Sequence, residues 1–168
     1  SLREGQQVMM RYAEVVYPDL PAYQGNEGMV MMENIRVAMA QDTYFAKGNA
    51  IEVYQPTSTY HGYRYVEITG LDCPLPLDAV EGVVLSSVDT FTTDITFDTP
   101  LLSRFFENVK WSTLANVFSI PTDCPQRNER MGWSGDLSVF VPAMSYLFNA
   151  NQFLRRHLMA LDQKSTRL

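Results

Sequence analysis

Asp98-Thr99-Pro100-Leu101-Leu102-Ser103-Arg104-Phe105-Phe106 is where the chain changes character. Thr99 is a residue type that caps helix N-termini, and Pro100 suits the first helical position, where its missing N–H is not needed. Leu102, Phe105, Phe106 and Val109 follow at helical spacing, with Leu114 roughly extending the stripe. The pattern predicts a helix to about Asn116. Upstream, the pattern is that of strands. Gln7–Val16 is rich in strand formers and stops at Pro18 and Pro21. Alternation or apolar runs recur over 35–47, 51–55, 63–69, 83–85 and 91–97, separated by turns. Strands first and helices second mean two structural regions rather than alternating β-α units. The expected fold is α+β: a partial antiparallel β-sandwich over residues 1–97, then helices over 98–168.

Two more helices follow downstream. Leu137, Phe140, Met144, Leu147 and Phe148 trace one face, with Pro142 predicting a kink or a late start. Asn149 and Gln152 have the spacing of a capping box, and Phe153, Leu154, Leu158 and Leu161 mark a third helix. Lys164–Leu168 reads as a polar tail.

The bulk properties exclude several classes. The chain has 168 residues, 46% hydrophobic and 19% charged, with a net charge of −6. An acidic chain without a basic stripe argues against nucleic acid and anionic membrane surfaces as partners. No apolar run approaches the length of a membrane span, and the first residues lack a signal-peptide core. Cys73 and Cys124 make neither a disulfide framework nor a metal set, so neither metal nor cofactor is expected. Cys124 reads as a buried free thiol rather than a nucleophile. Tyr60-His61-Gly62-Tyr63-Arg64-Tyr65-Val66-Glu67 reads as a strand with large cross-strand partners, and His61 as a structural hydrogen-bonding residue.

Between the first and second helices lies Pro121-Thr122-Asp123-Cys124-Pro125-Gln126-Arg127-Asn128-Glu129-Arg130-Met131-Gly132-Trp133-Ser134-Gly135-Asp136. Its prolines and glycines make it a loop, and loops on rigid flanks are where sites are built. Carboxylates accept hydrogen bonds from hydroxyls, an indole covers the C–H face of a sugar ring, and a protonated carboxyl can donate to a leaving oxygen. Acid, acceptors and platform together read as a carbohydrate site. A plain surface loop, with Arg127 and Arg130 paired to Asp123, Glu129 and Asp136, is the competing reading.

The order Thr-Asp-Cys-Pro-Gln-Arg-x-Glu-Arg-x-Gly-Trp-x-Gly-Asp resembles the signature of the bacterial α-L-rhamnosidase family. Tyr60–Tyr65 is similar to a segment of that family's sandwich domain. Asn128 departs from the family's usual Asp, and Met131 and Ser134 from Leu and Thr. The resemblance implies sandwich domains joined to an (α/α)6 toroid, of which this chain covers the end of one sandwich and the opening helices of the toroid. It implies hydrolysis of terminal α-L-rhamnosyl linkages with inversion, with rhamnose-containing glycosides or polysaccharides as substrates. Glu129 takes the place of the general acid. Asp123, Arg127, Trp133 and Asp136 take substrate-binding places, while the general base lies outside this chain. The bacterial cytoplasm is the favoured compartment. A non-catalytic carbohydrate-binding or structural module descended from such an enzyme is the alternative. With most toroid partners absent, the three helices are expected to pack back onto the strands or to pair with a second copy through exposed helix faces or sheet edges.

Overall fold

The computed structural model describes residues 2–165, with side chains through Asp162. It divides into two compact units: Ser1–Gly82 with Gln126–Asn128, and Val83–Pro125 with Glu129–Leu168.

The first unit is built on a three-stranded antiparallel sheet in the order β2-β1-β3. Its strands are β1 (Gln7–Ala13), β2 (Gln41–Phe45) and β3 (Tyr65–Thr69). β1 takes the centre because it is the most apolar, burying Val8, Tyr12 and Ala13. Arg11 stands directly opposite Glu67 and forms an ion pair with it, a cross-strand pairing that supports this register. Tyr12 Oη donates to Asp42 Oδ2 at 3.0 Å, and the His61 ring stacks on the Tyr12 ring with centroids 3.9 Å apart. His61 Nε2 lies 3.0 Å from the same carboxylate oxygen. A carboxylate only accepts, so Nε2–H donates, and His61 has the structural role expected of it.

Several expected strands are absent among the described residues. Residues 51–55 pair with no strand, and Ile51 and Val53 are almost fully exposed. Val37 and Met39 are exposed as well, and only Ile35 of that expected face is buried. Residues 60–64 are not assigned to a strand, although the Arg64 N–H donates to the Ala13 carbonyl of β1 at 2.9 Å, and β3 starts at Tyr65.

The second unit holds α1 (Pro100–Asn116), a two-stranded hairpin of β4 (Val117–Phe118) and β5 (Ile120–Pro121), α2 (Ser134–Leu147) and α3 (Asn151–Ser165). α1 starts at Pro100 with Thr99 as its N-cap residue, as expected, although the Thr99 side chain makes no capping hydrogen bond and only its carbonyl takes part, accepting from Leu102 and Ser103. Pro142 lies inside α2 without delaying its start. Asn149 Oδ1 accepts from the backbone N–H of Asn151, so its side chain caps α3. The core gathers Val88, Val117, Leu137, Met144, Leu147, Phe148, Ala150 and Phe153. Of the expected helix stripes, Met144, Leu147 and Phe153 are buried, whereas Leu102, Phe105, Leu158 and Leu161 are exposed. The stripes are wider than the surface their neighbours within the unit offer. Residues 166–168 of the expected polar tail lie outside the described residues, while Ser165 still belongs to α3.

Residues 83–97 are the main departure from the expected strands. Val83, Val84 and Leu85 are exposed rather than buried. Downstream, Thr92 donates to the Leu147 carbonyl through both N–H and Oγ1, and Thr93 Oγ1 donates to the Tyr146 carbonyl. Those carbonyls end α2 and have no partner within the helix. The threonines that looked like ladder residues are C-terminal caps. No described helix is long and apolar enough to cross a membrane.

Two outcomes follow. Gly70 has φ +86°, and a Cβ there would lie 2.1 Å from the Gln7 carbonyl oxygen. Gly70→Ala loses about 1–2 kcal/mol from handedness alone, with the clash added; urea unfolding of the protein measures it. Burial, then the hydrogen bond to Asp42, holds the Tyr12 phenol above its ordinary 10.0. The stability this contributes is complete below pH 10.0 and is lost as the pH rises further. Tyr17, Tyr44 and Tyr54 are raised too, so Tyr12→Phe reduces the alkaline loss of stability without abolishing it. An unchanged slope above pH 10.0 in that variant refutes the assignment.

Candidate active site

The loop between β5 and α2 begins with a firm anchor. Thr122 is buried and donates twice to the Asn116 carbonyl, from its N–H at 2.8 Å and from Oγ1 at 3.0 Å. Asn116 ends α1, so its carbonyl has no helical partner, and the threonine supplies two. Between them runs the β4–β5 turn, with Ser119 in the left-handed region at φ 64°. Ser119 N–H donates to Ser87 Oγ, and its carbonyl accepts from Arg156 Nη1 on α3.

Beyond Thr122 the chemistry gathers. One donor atom each from Asp123, Cys124 and Glu129 lies within 4.8 Å of the others, and all three residues are half-buried. Asp123 Oδ1 is buried without a hydrogen-bond partner, a costly state for a carboxylate oxygen. Trp133 Nε1 donates to the Glu129 carbonyl at 3.2 Å, and the backbone N–H of Met131 reaches the same carbonyl at 2.6 Å. Indole and glutamate are therefore tied through the backbone. The Trp133 face stays partly open, at 44% exposure.

The loop thus brings together Asp123, Glu129 and Trp133. Asp136 is exposed in the first turn of α2, where a carboxylate also favours the positive end of the helix dipole. Arg127 is half-buried and belongs with Gln126 and Asn128 to the first unit. Cys124, expected to be a buried thiol, is instead half-buried beside two carboxylates. Oxygen and sulfur donors this close are ligand types that a cation accepts, but a bound cation would compete with the proton that an acid must carry.

Sequence reasoning missed Thr122 and the α3 residues Arg156 and His157, which hold the loop from behind. The one signal for His157 was Gly132 next to Trp133. A Cβ on Gly132 would lie 3.2 Å from His157 Cε1.

The carboxyl spacing restricts mechanism. An inverting pair stands roughly 6.5–9.5 Å apart to admit water. Asp123 and Glu129, within 4.8 Å, are too close to form such a pair.

Thr122→Val removes one of the two bonds to Asn116 while keeping shape. It is expected to cost about 1 kcal/mol, measured by urea unfolding, with faster amide exchange confined to the loop.

The comparisons with known proteins cover nearly the whole chain. The family model of the bacterial alpha-L-rhamnosidase concanavalin-like domain matches residues 1–86, and that of the bacterial alpha-L-rhamnosidase 6 hairpin glycosidase domain matches residues 90–167. An alpha-L-rhamnosidase of Streptomyces avermitilis is 38% identical over 162 residues, covering 96% of this chain and 15% of that protein. One from Alteromonas sp. is 33% identical over 168 residues, covering 98% of this chain and 17% of that protein. The crystal structure of the Streptomyces avermitilis enzyme complexed with L-rhamnose superposes with a TM-score of 0.82, over 93% of this chain and 14% of that one. The Dictyoglumus thermophilum α-L-rhamnosidase gives a TM-score of 0.80 at 37% identity, over 92% of this chain and 16% of that one. The 168 residues therefore span about a sixth of the length of these relatives, and with a three-stranded sheet matched to the concanavalin-like domain and three helices matched to the six-hairpin domain, the chain belongs to the bacterial α-L-rhamnosidase family.

Proposed function

We propose that this chain carries the acid half of an inverting α-L-rhamnoside hydrolase. Glu129 is the general acid, protonating the glycosidic oxygen as the bond to the anomeric carbon breaks. Asp123, Arg127 and Asp136 bind sugar hydroxyls, and the Trp133 indole covers the apolar face of the ring. The observation that carries this reading is the loop itself. Two adjacent carboxyls, one with an unsatisfied buried oxygen, sit beside an indole tied to the backbone of the acid. A polyhydroxylated ligand supplies the donors that Asp123 lacks.

By resemblance to the rhamnosidases, the base that activates water is a carboxylate outside these residues, and Asp123, close to Glu129, does not have the spacing of an inverting partner. The substrates are rhamnose-containing glycosides, in keeping with the named activity of the relatives. A module that binds rhamnose without turnover is the second reading, favoured by the close approach of Asp123 and Glu129, which is short of an inverting pair.

Glu129→Gln in the intact enzyme separates the two readings. Gln keeps the shape but donates no acidic proton. Turnover of rhamnosides with poor leaving groups falls about 10²–10⁴-fold, while activated aryl rhamnosides lose much less. Equal losses on both substrates would assign Glu129 to binding.

A further inference from the structure

We infer that His157 is a positioning residue for the acid loop, a reading that rests on Glu129 being the acid. His157 is 4% exposed, on the same face of α3 as the buried Phe153. Its ring lies flush against the backbone at Gly132: a Cβ there would meet Cε1 at 3.2 Å and Nδ1 at 3.8 Å. Ile120 Cβ, at 3.7 Å, closes another side of the same space.

Gly132 has no positive φ, unlike Gly70 and four other glycines. Its φ therefore carries no left-handed strain. The imidazole, rather than the dihedral angles, crowds a side chain at this position, and the ring must give by a few tenths of an ångström to admit one. Gly132 immediately precedes Trp133, whose N–H donates to Met131 O and whose indole donates to Glu129 O. Pressure at 132 is thereby delivered to the platform and to the acid together.

The neighbouring residue on α3 works on the other end of the loop. Arg156 Nη1 donates to the carbonyl of Ser119, the left-handed residue of the turn that leads into Thr122. Consecutive residues of one helix therefore hold the entry and the exit of a loop that contains both carboxyls.

The test uses the intact enzyme, with kcat and KM measured on a rhamnoside with a poor leaving group and on an activated aryl rhamnoside. His157→Ala lets the loop relax, so kcat on the poor leaving group falls on the order of 10–100-fold, the scale of an ångström misplacement. KM and the activated substrate change little. Gly132→Ala produces the same selective loss by pushing from the other side. In the double variant the added methyl occupies space the ring has left, so its loss is no greater than that of either single variant. Losses that multiply, or that are equal on both substrates, overturn the positioning role. If His157→Ala fails to fold, Gly132→Ala decides alone, and an unselective loss there refutes the proposal. The Glu129→Gln variant runs in parallel. If it shows leaving-group selectivity and the His157 and Gly132 variants do not, positioning fails while the acid stands. If Glu129→Gln is itself unselective, the acid reading fails first.

Discussion

The second unit depends on one carbonyl. Asn116 ends α1 with an acceptor that the helix cannot satisfy, and Thr122 answers it with two donors. That tie closes the β4–β5 turn, whose Ser119 is in the left-handed region, and fixes where the acidic loop leaves the helix. Everything chemical downstream, from Asp123 to Trp133, starts from this point. The same device recurs at the end of α2, where Thr92 and Thr93 take the carbonyls of Leu147 and Tyr146. Helix ends closed by threonines from extended segments are the common joint of this unit.

That joint also explains what the sequence could and could not reveal. The start of α1 was legible because Pro100 acts locally at the first helical position, and its end because the apolar stripe stops there. Strand assignments over 51–55 and 91–97 failed for a different reason. Alternation records which way side chains point, but a strand also needs a neighbour to take its backbone hydrogen bonds. Thr92 was legible as extended, yet its donors go to a helix end fifty-five residues away in sequence. No local pattern encodes that choice.

The site divides in the same way. Glu129, Asp123 and Trp133 were legible because the residue types sit within one loop. Their mutual approach was not, since only the fold brings Asp123 and Glu129 within 4.8 Å. The supports behind the loop were less legible still. Arg156 and His157 read as members of an amphipathic helix, and nothing in their spacing points to residue 119 or 132. The glycine at 132 was the single trace of the contact, visible only once its ordinary backbone conformation was known.

Gly70 has a consequence for how the sheet finds its alignment. Its neighbours Thr69 and Leu71 both carry a Cβ. A β3 strand displaced by one position would bring one of them against the Gln7 oxygen, where even a single carbon at 2.1 Å does not fit. The same displacement would turn every side chain of β3 to the opposite face. The glycine therefore acts as a key cut for one lock. It leaves the correct alignment unobstructed and penalises the nearest wrong ones, so the pairing of β3 with β1 is proofread by what is missing from residue 70.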